Sequence, residues 1–120
     1  MSLPGFRSDG WLPEGHHSTT WDEIVSVFGG EPGTQRAAVL DHLLDWRDRI
    51  HAVGLTGRLV LDGSFISTKA EPGDFDCFFI ADEGMEHLVA MSEEARSLVD
   101  YRTCKAEGWG DILLYFSRLP

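Results

Sequence analysis

Leu59-Val60-Leu61-Asp62-Gly63-Ser64, then a nine-residue spacer from Phe65 to Gly73, then Asp74-Phe75-Asp76-Cys77-Phe78-Phe79-Ile80 is the stretch that decides how this chain reads. Each flank is a short apolar run next to glycine, the pattern of a strand entering or leaving a turn. Side chains alternate faces along a strand. Asp74 and Asp76 therefore share one face, while Phe75 and Cys77 point the other way, into a core. Two carboxylates held that close repel unless a cation sits between them. An oxygen-only ligand set suits Mg2+ or Mn2+, which keep several waters and take further ligands from substrate phosphates. The pattern predicts a metal-dependent phosphoryl-transfer site. The competing reading is a hairpin with Pro72-Gly73 in its turn and carboxylates that are merely solvated.

The combination of Leu61-Asp62-Gly63-Ser64 with Asp74-Phe75-Asp76 resembles the nucleotidyltransferase superfamily, whose motif is hydrophobic-Gly-Ser, a spacer, then Asp-hydrophobic-Asp. That fold is shared by DNA polymerase beta, aminoglycoside nucleotidyltransferases and minimal antitoxin-type enzymes. The chain departs from the motif at Asp62, where an apolar residue is expected before the glycine. More narrowly, Leu12-Pro13-Glu14-Gly15-His16, Thr20-Trp21 and Phe28-Gly29, with Leu61 to Lys69, resemble an uncharacterised bacterial family of nucleotidyltransferase-like proteins. No defined activity comes with that closer resemblance.

The resemblance implies an α+β fold, a small mixed β-sheet flanked by helices, with residues 1–19 as an extended arm and 20–120 as a single nucleotidyltransferase-like domain. It implies a nucleoside triphosphate bound with Mg2+ and a nucleotidyl group passed to a hydroxyl of a protein or small molecule. Asp74 and Asp76 would hold the metals that bridge attacking and leaving oxygens. Gly63 and Ser64 would let the backbone approach the phosphates, although Gly63 equally suits a sharp strand end. Lys69, in the spacer, is placed to pair with a phosphate or offset the carboxylates, or else is simply solvated. Superfamily members add a third carboxylate on a later strand as metal ligand and base. Asp111 is the candidate, and its position after Gly108-Trp109-Gly110 leaves it between loop and strand.

The alternative function is a catalytically inactive relative, serving as a nucleotide-binding or antitoxin-like protein-interaction module. Little chain follows the last strand, so a missing wall of the cleft would come from a protein partner or a homo-oligomer. A phosphohydrolase using the same carboxylates is a third possibility.

Composition narrows the classes further. At 120 residues the chain has room for one core. A net charge of −10 disfavours a long nucleic acid as partner, because phosphate binding needs a basic stripe that ten scattered Lys and Arg do not supply. No apolar run approaches the roughly 20 residues that span a bilayer, which excludes a membrane role and points to the cytoplasm. Two cysteines are too few for a disulfide framework or structural zinc. Cys77 reads as a reduced core residue, and Cys104 is left unassigned. No Walker A loop, Ser-His-Asp arrangement or Cys-x-x-Cys is present.

Thr20 and Glu23 form a capping-box pattern ahead of a short helix ending at Gly29-Gly30. A main helix is expected from about Thr34 to Ala52, with Ala37, Leu40, Leu43, Leu44, Ile50 and Val53 on its apolar face and Gly54 as its stop. Strands are expected over Arg58–Ser64, Phe75–Ala81 and Asp111–Phe116, with one helix from Met85 to about Val99. His16 and His17, as neighbours that point apart, read as surface residues of the arm. Trp11, Trp21, Trp46 and Trp109 read as core and arm anchors, with base stacking the less favoured use of Trp109.

Overall fold

The computed structural model describes residues 3–117. Thr20 opens α1 (Trp21–Phe28), its side chain accepting from the Glu23 backbone N–H. The reciprocal half of the capping box is not made. The Glu23 carboxylate instead accepts from the Leu3 N–H and the Thr19 hydroxyl, tying the arm to the helix. Thr34 caps α2 (Gln35–Ala52), and Gly54 follows it at φ +87°, the left-handed conformation that ends a helix without a Cβ penalty.

The sheet has strand order β1-β2-β3. β1 (Gly57–Asp62) runs antiparallel to β2 (Asp76–Ala81), and β3 (Asp111–Phe116) runs parallel to β2. A parallel partner requires a crossover, and the chain supplies it as three short helices, α3 (Met85–Met91), α4 (Glu93–Val99) and α5 (Tyr101–Ala106). The fold is α+β with a small mixed sheet. The single helix expected over Met85–Val99 is broken because Ser92 ends α3 and, through its hydroxyl, caps the Ala95 N–H of α4. Asp100 repeats the device on the Thr103 N–H and starts α5, a helix that the periodicity did not predict. Gly63 and Ser64 lie beyond β1 rather than in it, Ser64 opening a 3-10 turn (Ser64–Ile66).

One face of the sheet carries the core. Phe75, Cys77, Phe79, Ala81 and Ile112 are buried there against Leu43, Trp46 and Ile50 of α2 and Leu98 and Val99 of α4. Trp46 is fully buried, and its Nε1–H donates to the Leu98 carbonyl at 2.8 Å, so α2 and α4 are joined by packing and by a satisfied polar group. Trp21 and Trp109 are half-buried with the guanidinium groups of Arg47 and Arg49 over their rings, whereas Trp11 is exposed. Cys77 and Cys104 are both free and buried. The opposite face is open: Phe78 meets Tyr115 with ring centroids 5.9 Å apart, and Leu113 and Tyr115 are exposed. Among the described residues, no helix is long and apolar enough to cross a membrane.

The arm has no regular secondary structure, but it is not free of the body. Leu3 and Leu12 pack against the core, and the Thr68 N–H donates to the Gly10 carbonyl. Its middle is a turn closed by Arg7 N–H to Trp11 O and by the Arg7–Asp9 ion pair. His16 is exposed; His17 is half-buried, its Nε2 2.7 Å from the Pro13 carbonyl.

Candidate metal centre

Strand pairing sets an acidic row across one end of the sheet. Asp76 is the first residue of β2, with Asp62 of β1 opposite it on one side and Asp111, the first residue of β3, on the other. Paired residues project from the same face. Asp111 is thus a strand residue. Its N–H donates to the Phe75 carbonyl at 2.9 Å, and the turn before it passes so close that a Cβ on Gly110 would lie 2.6 Å from that same oxygen. Asp74 lies in the bend before β2 and not in a strand as alternation alone suggests, yet its carboxylate joins the same group. Asp74, Asp76 and Asp111 each offer a carboxylate oxygen, all within 4.8 Å of one another and half-buried. Phe75 and Cys77, the alternating positions, are buried as expected.

The electrostatics follow from the crowding. Burial, then a hydrogen bond with Asp111, then the charges of Asp74, Asp111 and Asp62 push Asp76 up to about 6. Asp74 is raised too, by burial and by Asp111. Asp111 goes the other way because Lys105 donates to its Oδ1 at 2.8 Å and holds the carboxylate ionised. The three side chains store mutual repulsion that a divalent cation would relieve, and their hard oxygen donors fit Mg2+ or Mn2+. Tyr101 and Asp62, with Phe78 and Leu113, border an open pocket of about 300 Å3 over Asp76 and Asp111.

Gly63 serves this cluster directly. It has φ +82°, and a Cβ there would fall 2.1 Å from Asp76 Oδ2, so only glycine lets the chain turn over that carboxylate. The turn is fixed from behind by Arg36, a buried guanidinium whose donors reach the carbonyls of Phe28, Phe65, Ser67 and Lys69. Ser67 adds a hydroxyl bond to the Ser64 carbonyl at 2.6 Å. Ser64 is half-buried at the start of the turn, and the Lys69 residue is exposed in the loop beyond it. Among the described residues, the cation that touches the carboxylates is Lys105.

Sequence reasoning brought together Asp74, Asp76, Asp111 and Gly63 and missed Arg36, Asp62, Tyr101 and Lys105. Asp62 was visible as the departure from the hydrophobic-Gly-Ser pattern, and the hairpin register would have set it opposite Asp76. Lys105 stands six residues before Asp111, but α5 had to be seen before that separation meant proximity. No curated protein and no solved structure matches the chain. Its residues 4–118 match the Family of unknown function (DUF6932), and the chain belongs to that family.

Proposed function

We propose that this chain is a metal-dependent, nucleotidyltransferase-like domain that binds a nucleoside triphosphate and transfers a nucleotidyl group to a hydroxyl of a protein or small molecule. The observation that carries the reading is the convergence of Asp74, Asp76 and Asp111 at one end of the sheet, oxygens within 4.8 Å, beside the Gly63-Ser64 turn. Bound Mg2+ or Mn2+ supplies charge neutralisation at the reacting phosphate and activation of the attacking oxygen. Asp74 and Asp76 would hold the metal, and Asp111 would act as its third ligand or as the base that accepts the proton of the attacking hydroxyl. The half-buried Gly63-Ser64 turn, whose Gly63 N–H is engaged by the Asp62 carboxylate, would receive the phosphates through Ser64. Two free, buried cysteines accord with a reducing cytoplasm.

The test is calorimetric titration of ATP, GTP, CTP and UTP with Mg2+ against wild type and an Asp74→Asn, Asp76→Asn double variant. One triphosphate is expected to bind with metal present and to wild type alone, and α-labelled nucleotide should then mark an acceptor with release of pyrophosphate. Equal binding by the double variant sinks the reading.

A second reading, an inactive relative acting as a protein-interaction module, is favoured by the edge of β1. The Asp82 N–H donates to the Thr56 carbonyl, so in this register Leu59 and Leu61 turn their backbone groups away from β2. They face a groove of about 710 Å3 between β1 and α1, lined by Trp21, Ile24, Phe28 and Ile66. An extended segment of a partner could add a strand there.

A further inference from the structure

Three carboxylates and a triphosphate carry more negative charge than two divalent cations offset, so a site of this kind needs a cation of its own. Lys69 sits in the phosphate-side loop and, like Lys105, is exposed. Among the described residues, Lys105 is the basic side chain ion-paired with the carboxylate cluster, at 2.8 Å from Asp111 Oδ1. Its backbone is anchored, while its side chain is more than half exposed. Cys104, one residue earlier, is fully buried with its Sγ 3.1 Å from the Leu98 carbonyl. After Lys105 the chain turns through Gly108, closed by Trp109 N–H to Cys104 O, and enters β3. Tyr101, one helical turn back, lies under the ammonium, with Nζ 5.8 Å from its ring centroid, and lines the pocket over Asp76 and Asp111. The α5 helix therefore lies beside the carboxylates.

Resting on the metal-site reading, we propose that Lys105 is the triphosphate-contacting cation of the site, held on Asp111 until a divalent metal takes that carboxylate. The lysine stem is flexible and its ammonium has three rotatable donors, so the released Nζ can reach a phosphate oxygen next to the same metal. Lys105 thus has two partners in turn. Without metal it lowers the repulsion among the aspartates, and with metal it binds the nucleotide.

The experiment compares wild type, Lys105→Met and Lys105→Arg in two titrations, Mn2+ alone and Mg2+ with each common nucleoside triphosphate. Lys105→Met is expected to bind Mn2+ at least as tightly as wild type, because Asp111 is freed, yet to lose about tenfold or more in triphosphate affinity, the loss of one charge-assisted hydrogen bond. Lys105→Arg should recover most of that affinity. Unchanged triphosphate binding in Lys105→Met, with Mn2+ still bound, overturns the role of Lys105 and leaves the metal site standing. A parallel loss of Mn2+ affinity also overturns it, by making Lys105 a positioning residue for Asp111. No Mn2+ binding by wild type removes the metal reading and this proposal together.

Discussion

The α-carbon of Gly63 packs against the carboxylate of Asp76 so closely that a methyl group in place of its hydrogen would sit 2.1 Å from Oδ2. The glycine and the aspartate are one structural unit: the turn after β1 has its shape because the first side chain of β2 occupies the space beside it. Gly63→Ala should cost about 1 kcal/mol for the positive φ alone, and more for the displaced carboxylate. Thermal unfolding checks the loss of stability. Metal titration should show a larger deficit than the stability loss explains, since Asp76 is the group that has to move.

Arg36 is a second prediction, and a purely structural one. Its guanidinium is buried with no carboxylate partner among the described residues, and it satisfies carbonyls from both α1 and the loop after Gly63-Ser64. Arg36→Met retains the aliphatic bulk but strands those carbonyls, at about 2–4 kcal/mol. Denaturant unfolding should show that loss, and hydrogen exchange should locate the new mobility at Phe65 to Lys69. A neutral substitution would mean that water replaces the guanidinium at no cost.

The pH dependence of the metal-free protein follows from Asp76. Its folded-state value of about 6 lies above the ordinary 3.8, so the folded state binds this proton more tightly than the unfolded chain. Asp76 therefore contributes stability below about pH 4 that is lost as pH rises through 6. Asp111 has the opposite sign: its depressed value contributes stability above 3.8 that is lost on further acidification. Asp76→Asn should be more stable than wild type at pH 7.5 by about 1–2 kcal/mol, less than the nominal shift because the site is partly solvated. The gap should close by pH 4. Unfolding midpoints of both proteins in chelator, taken across that range, check the sign.

Burial makes the two thiols inert. It pushes Cys77 up to about 12 and Cys104 up to about 11, so neither is a thiolate at neutral pH. The native protein should react with a chromogenic disulfide reagent only at its rate of opening, and denaturant should expose both groups at once. A fast-reacting thiol in the native protein would show that α5, which carries Cys104, detaches independently of the core.

Elements were legible in the sequence where one helix or strand carried its own start, period and stop. The α2 helix has Thr34, a long apolar face and Gly54; the Asp-Phe-Asp-Cys alternation told which side chains face the core. The crossover was not legible because Ser92 reads as an ordinary polar residue of a continuing helix, and Asp100, just past that helix's expected end, carries no signal of a further one. The same gap hid Lys105, the ion-pair partner of Asp111, since it belongs to the helix that Asp100 starts. Arg36 was hidden for another reason. A buried arginine is recognised by the carbonyls around it, and those come from segments about 30 residues away in sequence.

Asp62 yields the last prediction, since it is where the chain departs from the motif it otherwise resembles. Its pairing with Asp76 across β1 and β2 adds a charge that raises Asp76 further, although Asp62 stands outside the set whose oxygens converge. Asp62 is the smallest of the causes raising Asp76, and an interaction with an exposed charge is on the order of 1 kcal/mol or less. Asp62→Asn should therefore lower the pKa of Asp76 and stabilise the metal-free protein slightly at neutral pH. The same change removes part of the field that draws in a cation, so Mn2+ affinity should fall by a few-fold while the binding stoichiometry stays the same. Loss of a bound ion, rather than weaker binding of the same number, would make Asp62 a ligand. In that case the departure from the hydrophobic-Gly-Ser pattern would be an added coordinating group instead of a tuned background charge.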